Sequence, residues 1–256
     1  MKKIVSLAFS FLFIMSASIA QNSDKKQIKG HTDQNKFRQL KDVLPTPNNR
    51  RTASGAPGYE YTQQKVDYKM DIVLDDENQR IYGEETITYH NNSKDNLTYL
   101  WLQLDQNMRA ADSKRSDMQS DGAATMYSPS QFSNKFLEPF DGGFKIEEVT
   151  STSGKNMSYA INKTMLRINL EQPLKANTSI SFKIKWWYNI NDHVKEGGRS
   201  GYEYFEENDN KIYVMAQFYP RMAVYNDTEG WQNSQFWGRD EFALPFGDFD
   251  VNITVP

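Results

Sequence analysis

This 256-residue sequence contains three histidines, and their spacing can be compared with that of known zinc-binding motifs. A hydrolytic zinc site usually places two His side chains at positions i and i+4 of a helix, with a Glu beside the first, so that both imidazoles point at one ion. His31, His90 and His193 are too far apart for this pattern. His193 and Glu196 lie close in sequence, but the loop-like residues around them favour a solvated surface pair. The sequence therefore predicts no metal ligands in this chain.

Motifs for other kinds of active site are also missing. Ser200 in "GGRSG" has the wrong offset for the G-x-S-x-G elbow of serine hydrolases. Neither a P-loop nor the dinucleotide-binding glycine pattern occurs. The absence of Cys excludes thiol nucleophiles, thiolate metal ligands and disulfides. We therefore expect no catalytic residue and no cofactor in this chain.

Neighbouring acids are the remaining candidates for hydrolytic chemistry. In a strand, successive side chains point to opposite faces, so one acid of each neighbouring pair is expected to face solvent. A β-sandwich enzyme whose two carboxylates converge from different strands remains an open alternative. The neighbouring pairs are Glu84 with Glu85, Glu147 with Glu148, and Glu206 with Glu207.

A period of two dominates the sequence after Tyr59. Val66, Tyr68, Met70 and Ile72 alternate with polar residues, which predicts a strand with one buried face. The polar run Asp75–Asn78 supplies turn chemistry before a second alternating run, Ile81–His90, so the two form a predicted hairpin. Further alternating runs are Leu97–Asp105, Phe144–Thr150, Met157–Ile161, Thr164–Leu170, Ile180–Tyr188, Lys211–Phe218 and Phe249–Val255.

Short strands at this density, without long helical patterns between them, predict an all-β fold. The chain should form an antiparallel β-sandwich or a large curved sheet. One stretch interrupts the pattern: Asn107–Gly143 is rich in small and polar residues and is too long for a hairpin loop. We expect an irregular insertion there, either with a short helix around Ser128–Leu137 or as a mobile flap.

The N-terminal residues carry the signals of export. Lys2 and Lys3 precede an apolar run, Ile4–Met15, and a small-x-small cleavage site, Ser18–Ala20. Residues 1–20 are thus typical of a secretory signal peptide, with an uncleaved membrane anchor as the alternative. We expect a protein exported to the periplasm, the cell surface or the medium, with no membrane span after signal removal.

Residues 21–58 are predicted to be a polar linker, and residues 59–256 one β-domain. Within the linker, "NKFRQLKDVL" fits either a short helix or disorder. Losing the two signal-peptide lysines changes the formal net charge from −3 to −5. An acidic protein lacks the clustered Lys and Arg that nucleic acid requires, so nucleic acid is not expected as a partner.

The stretch "KIYVMAQFYPRM" is predicted to be a strand that ends at Pro220, because proline cannot donate to a strand ladder. Such a strand would bring Gln217, Tyr219 and Arg221 to a sheet edge beside a cleft. For Arg221, an ion pair with a nearby loop acid is the favoured interpretation. The two candidate partners are Asp227 and Glu229.

The order of several segments resembles the N-terminal β-domain of the aminopeptidase N family of zinc metallopeptidases (gluzincins), most closely the secreted Bacteroides-type members. The resemblance covers Tyr59–Pro256. It rests on the opening "YKMDIVLDDENQRIYGEETITYHNNS", on "LWLQLDQN", and on the ordered set "AQFYPRMAVYND", "GWQN" and "GRDEFALPFGDFDVNITVP".

The resemblance implies a saddle-shaped domain that precedes a thermolysin-like catalytic domain. That domain carries H-E-x-x-H, a further Glu ligand and a G-x-M-E-N segment, none of which occurs here. The resemblance therefore implies that this chain is a non-catalytic fragment and that its partner is the downstream catalytic domain, which holds the zinc ion. The substrate of the complete protein would be a peptide with a free N-terminus. The aromatic cluster of Phe218, Tyr219, Tyr225 and Trp231 is then expected to dock on that partner.

The resemblance also implies two substrate-binding residues, Gln217 and Tyr219. Relatives place a Gln or Glu from the corresponding strand beside the substrate amine, and the amide of Gln217 can accept a hydrogen bond from an ammonium group. Relatives often have Q-x-[QE], whereas this sequence has Gln217-Phe218-Tyr219. The alternative role for Gln217 is to satisfy the backbone of a sheet edge.

A stand-alone binding module for carbohydrate or protein is the alternative function. Tryptophan side chains are common stacking platforms for sugars. However, neighbouring strand residues point to opposite faces, so Trp186 and Trp187 cannot both contact one sugar. The other candidate platforms are Trp231 and Trp237.

Overall fold

The structure is a computed structural model that describes residues 47–52, 54–113, 128–132, 140–238 and 243–256. The predicted signal peptide, most of the predicted linker and parts of the predicted insertion lie outside these residues. The described strands are β1 (Lys65–Asp75), β2 (Arg80–Asn91), β3 (Leu97–Gln103), β4 (Lys145–Ser151), β5 (Tyr159–Asn162), β6 (Met165–Leu174), β7 (Thr178–Asn189), β8 (Gly201–Phe205), β9 (Asn210–Val214), β10 (Arg221–Met222), β11 (Tyr225–Asn226), β12 (Gly230–Trp231) and β13 (Phe249–Thr254).

Helices are short in the described residues. They are α1 (Pro129–Phe132), α2 (His193–Glu196), and two 3-10 turns, Asp105–Arg109 and Glu206–Asn208. Helix α1 lies within the region where a helix was predicted in the insertion. None of these helices has the length and the apolar character that crossing a bilayer requires.

The larger sheet has the strand order β13-β1-β2-β7-β4. Its centre is the predicted hairpin: β1 and β2 pair antiparallel, with Val66 opposite Tyr89 and Ile72 opposite Gly83. The alternating residues of β1 are buried as their pattern indicates. Burying one face of each strand sets the register, because a slip by one residue would expose the apolar set.

The second sheet has the order β10-β3-β6-β5 and shares one hydrophobic core with the larger sheet. Leu100 and Leu102 of β3 and Ile168 of β6 belong to the same buried cluster as Phe182 and Ile184 of β7. This arrangement confirms the predicted all-β, sandwich-like fold, in which two apolar sheet faces cover each other.

Gly83 is required by the packing of this core. A Cβ atom at Gly83 would lie 2.3 Å from Cζ2 of Trp186, which is almost completely buried. The indole therefore packs directly on the backbone of β2. This close approach explains a glycine in the middle of a strand, where it is otherwise unfavourable.

Strand β13 differs from the antiparallel prediction because it pairs parallel to β1. Phe249, Val251 and Ile253 lie beside Tyr68, Met70 and Ile72, so their side chains share the core-facing side of the sheet. The β1 residues are buried, whereas Phe249 is 51% exposed and Ile253 56% exposed. We call the exposed residues Phe249, Val251, Ile253 and Val255 the apolar strip.

The predicted strand through Pro220 is wrong in length. β9 ends at Val214, six residues before Pro220. Gln217 has a φ angle of +48°, in the left-handed region that strands do not use. After Pro220, the chain begins a separate short strand, β10, which pairs with β3. Strand β8, which forms a hairpin with β9, was not among the predicted strands.

The last residues of the predicted linker are attached to the β-domain. Arg51 forms a bidentate pair with Asp227, with Nε 2.9 Å from Oδ2 and Nη2 2.8 Å from Oδ1. Arg51 also forms an isolated bridge with Pro57. A bidentate guanidinium–carboxylate pair fixes both position and orientation, so this part of the chain is held on the domain.

Candidate functional site

Gln217 and Tyr219 lie in the irregular segment 215–220, between β9 and β10. Both side chains are half-buried. The predicted site residues are therefore carried by a bent connection and not by a strand edge.

The bend at Gln217 is held by a side chain that is distant from it in the sequence. The amide Nε2 of Gln106 donates to the carbonyl oxygens of Ala216, at 2.7 Å, and of Gln217, at 3.2 Å. Arg109 in turn donates to Oε1 of Gln106, at 2.9 Å. A left-handed conformation costs energy for a residue other than glycine and persists only when its surroundings hold it. Gln106, buried in the 3-10 turn, provides such a contact.

Ser200 holds the other side of the bend. Its Oγ accepts a hydrogen bond from the backbone N–H of Ala216 at 2.8 Å. No local sequence signal marks Ser200 or Gln106 as site residues, because both act through the backbone of a segment distant in sequence. They are residues that sequence reasoning missed.

Tyr219 connects the core to the apolar strip. Its ring contacts Tyr68 edge-on, with centroids 5.4 Å apart, and Phe249 at 6.3 Å. Burial raises the pKa of Tyr219 to about 12, against the lowering effect of Arg221. The hydroxyl of Tyr219 is therefore protonated at neutral pH and can donate a hydrogen bond at this edge of the sheet.

Arg221 does not pair with either loop acid. Its Nη2 forms an ion pair with Oδ2 of Asp105 and a 3.1 Å hydrogen bond with Oε1 of Gln103. Asp227 instead pairs with Arg51. The prediction was wrong because it considered only acids close to Arg221 in the sequence. Strand β10 pairs with β3, which places Arg221 opposite Gln103.

A second buried acid lies in the core of the larger sheet. Glu85 is completely buried, and neither carboxyl oxygen has a hydrogen-bond partner of normal geometry in the described part of the chain. Loss of solvation raises the pKa of Glu85 well above its usual value, and the nearby indole N–H of Trp186 opposes this rise less strongly. Its neighbour Glu84 is exposed, as the alternation predicts.

Glu85 should make stability depend on pH. Below its usual pKa of 4.5, both the folded and the unfolded chains carry the proton. Above 4.5, the unfolded chain ionises while the folded chain stays protonated, so the free energy of unfolding falls by about 1.4 kcal/mol per pH unit up to the folded pKa. We expect Glu85→Gln to abolish this decline and to be more stable than the original protein at pH 8.

Urea unfolding at pH 5 and pH 8 measures this effect. Glu84→Gln is the matched control, since it removes the same charge from the exposed side of the same strand and should keep the decline. Equal pH dependence in the Glu85→Gln variant and the original protein would contradict the assignment of Glu85.

The aromatic cluster is mainly a part of the core and not an exposed docking face. Tyr225 is buried, and Phe218, Tyr219 and Trp231 pack against the same hydrophobic cluster. The prediction was wrong because aromatic content does not distinguish core from interface. The apolar strip, in contrast, is exposed.

Three of the four candidate tryptophans are buried or packed against other side chains, and the fourth, Trp237, is half-buried. Trp186 is buried, and Trp231 packs against Tyr225 with ring centroids 5.2 Å apart. The guanidinium of Arg80 lies over the ring of Trp187 at 4.9 Å. One face of that indole is thus occupied by an arginine, which weakens the carbohydrate interpretation.

Among the described residues, no group of three or more His, Asp or Glu side chains lies close enough together to bind a metal ion. His193 and Glu196 are exposed on α2, and His31 lies outside the described residues. Of the remaining neighbouring acids, all are exposed: Glu147, Glu148, Glu206 and Glu207.

Comparisons with known proteins find similarity only between this chain and solved structures. No protein-family model and no curated protein matches the sequence. An M1 zinc metallopeptidase from Deinococcus radiodurans is similar over 78% of this chain and 34% of its own, with a TM-score of 0.38 and 12% identity. A substituted form of that enzyme bound to a Tyr-Ser-Ala substrate gives a TM-score of 0.37 and the same identity and coverage.

A two-domain M1 zinc metallopeptidase bound to L-tryptophan is similar at the same level. It has a TM-score of 0.38 and 12% identity, over 78% of this chain and 35% of its own. The chain thus spans about one third of the length of these solved proteins.

Proposed function

We propose that this chain is the N-terminal, non-catalytic β-domain of an exported zinc metallopeptidase resembling aminopeptidase N, of the Bacteroides type. Its catalytic domain would follow Pro256 and would hold the zinc ion. The complete protein would remove N-terminal residues from peptides in the periplasm or at the cell surface, with residues 1–20 directing export.

The apolar strip is the observation that carries this proposal. Its side chains continue the core-facing side of the larger sheet beyond the part that is buried. An apolar row of this kind on a sheet edge usually marks an interface. All of the strip except Phe249 belongs to the segment "DVNITVP", which in the family that the sequence resembles lies close to the border with the catalytic domain. That domain is the occupant we assign to the strip.

Gln217 and Tyr219 support the proposal by their position. Tyr219 contacts Phe249, the first residue of the strip, so a domain docked there would meet this part of the chain. Gln217 is held two residues earlier in the bend fixed by Gln106. We assign to Gln217 the acceptance of a hydrogen bond from the substrate ammonium, and to Tyr219 a place in the wall of the cleft.

The test extends the protein past Pro256. We expect the downstream coding sequence to contain H-E-x-x-H, and the extended protein to bind zinc and to cleave peptides with a free N-terminus but not their N-acetylated forms. Residues 21–256 alone should cleave no peptide. A downstream sequence without zinc ligands, or equal cleavage of N-acetylated peptides, would overturn the proposal.

The docking surface is tested by mixing the two parts after separate expression. Ile253→Asp places an unpaired charge in the apolar strip and should weaken association with the catalytic domain at least about tenfold. Thr254→Asp adds the same charge on the opposite face of the strand and should leave association unchanged. Calorimetric titration of each variant measures the two affinities, and equal affinities would remove the strip from the interface.

A further inference from the structure

Three polar side chains on the outer face of the larger sheet are joined in a row. Oγ of Ser179, on β7, lies 2.8 Å from Nδ1 of His90, on β2. Nε2 of the same imidazole lies 2.8 Å from Oδ2 of Asp67, on β1. The register of β2 and β7 places His90 directly opposite Ser179. Three adjacent strands therefore bring together a hydroxyl, an imidazole and a carboxylate that are far apart in sequence.

The carboxylate of Asp67 is held in its ionised form. Partial burial acts to raise its pKa, but hydrogen bonds from the backbone N–H of Asp248, from Lys65 and from His90 lower the pKa to about 2. The Asp248 N–H lies 2.9 Å from Oδ1, and Nζ of Lys65 lies 2.9 Å from the same oxygen. Asp67 is thus an acceptor only, both of its oxygens being deprotonated at neutral pH.

This constraint determines the tautomer of the neutral imidazole. Because Asp67 can only accept, Nε2 of His90 must carry the proton that lies between them. Nδ1 then has a free electron pair and accepts the hydrogen bond from the hydroxyl of Ser179. The hydroxyl proton is directed at a base, and the base is oriented by a carboxylate, which is the arrangement of an activated serine nucleophile.

We propose that Ser179 is a nucleophile activated by His90 and Asp67, and that it is acylated by small esters with good leaving groups. The inference is independent of the proposed function, since ester acylation at this site needs no zinc domain. The roles of the ring nitrogens are exchanged relative to the serine protease triad, in which Nε2 meets the serine, and such triads are recognised by geometry and roles.

The surroundings of Ser179 determine the class of ester. Ser179 is exposed, and β4 pairs with β7 only from Phe182 to Trp187, so β4 does not cover the strand edge beside it. An open site of this kind suits a small acyl group. It also favours an ester whose leaving group departs without protonation, such as p-nitrophenyl acetate.

The reaction balances with these residues and water. Oγ of Ser179 attacks the acetyl carbon while its proton passes to Nδ1 of His90, and the C–O bond to the leaving group breaks to release p-nitrophenolate. Because the phenolate leaves unprotonated, Nδ1 of His90 releases its proton to solvent. Water then attacks the acetyl carbon and gives a proton to Nδ1, the bond from that carbon to Oγ breaks, and Oγ takes the proton from Nδ1 while the product leaves as acetate and a proton. Asp67 stays ionised throughout and stabilises the imidazolium that forms.

The experiment treats the purified chain with p-nitrophenyl acetate and measures both p-nitrophenolate release and the site of acetylation by peptide mass spectrometry. We expect acetyl-Ser179 in the original protein. Ser179→Ala should remove this peptide signal, and His90→Gln should lower the rate of acetylation of Ser179 about a hundred-fold, the lower end of what general base catalysis contributes.

Ser181→Ala is the matched control, because Ser181 lies two residues along the same strand face and bonds to Oγ1 of Thr88 at 2.8 Å instead of to a histidine. It should leave acetylation of Ser179 unchanged. Urea unfolding of each variant shows whether it is folded. If His90→Gln does not fold, the comparison of acetylation in Ser179→Ala with that in Ser181→Ala tests whether Ser179 is the nucleophile. Acetyl groups found only on lysines, or on Ser179 and Ser181 equally, would overturn the proposal.

Discussion

Replacing Arg221 by methionine is expected to lower the free energy of unfolding by about 3–5 kcal/mol, because it leaves a buried carboxylate without its cationic partner. The side chain of Asp105 is 2% exposed and that of Arg221 11% exposed. Methionine keeps much of the length and apolar volume of the arginine stem, so the loss reports the charge and its hydrogen bonds. Guanidinium unfolding of the variant and of the original protein measures the difference.

Two comparisons separate the buried pair from a general effect of lost charge. Lys155→Met breaks the exposed pair with Glu171 and should change stability little, since exposed ion pairs contribute little. Combining Arg221→Met with Asp105→Asn should recover a large part of the loss, because the uncompensated charge is then gone. A loss for Arg221→Met no greater than that for Lys155→Met would show that the pair does not support the fold.

Replacing Gly247 by alanine is expected to separate β13 from β1. The added Cβ would lie 1.5 Å from the carbonyl oxygen of Val66, which is a backbone atom of the neighbouring strand and cannot move aside as a flexible side chain does. The stacking of Phe249 on Tyr68, with ring centroids 5.0 Å apart, should then be lost. We expect faster hydrogen exchange throughout β13, measured by mass spectrometry of its peptides.

Asp250→Ala is the control for this experiment, because it changes an exposed residue of the same strand without adding an atom near β1. It should keep the protection of β13. The proposed function adds a second expectation, namely that Gly247→Ala prevents docking of the catalytic domain while leaving most of the sandwich folded. Normal protection of β13 in Gly247→Ala would contradict the close contact with Val66.

Much of the strand pattern could be predicted because burial on one face imposes a period of two on the sequence. The β1–β2 hairpin is the clearest case, since alternation on both sides of a polar turn leaves one register that buries both apolar sets. The same logic predicted that one acid of the pair Glu84 and Glu85 faces solvent, and Glu84 does so. It failed at Glu147 and Glu148, which are both exposed where a register shift interrupts the pairing of β4 with β7.

The candidate site was predicted less completely. Gln217 and Tyr219 were selected by resemblance, and their role stays a proposal. The bend that carries them depends on Gln106 and Ser200, and the partner of Arg221 is Asp105. These contacts join residues separated by many positions in the chain, so no local spacing could reveal them.

By itself, the sequence determined which residues alternate, and therefore which faces of which strands are apolar and that the fold is all-β. Periodicity is a property of one strand and its solvent, so it can be read locally. Only the tertiary structure decided which strands are neighbours. Strand order placed Arg221 beside Asp105, moved the exposed apolar surface from the aromatic cluster to β13, and brought Ser179, His90 and Asp67 together. Such contacts depend on how separate strands are paired, which the pattern within each strand does not specify.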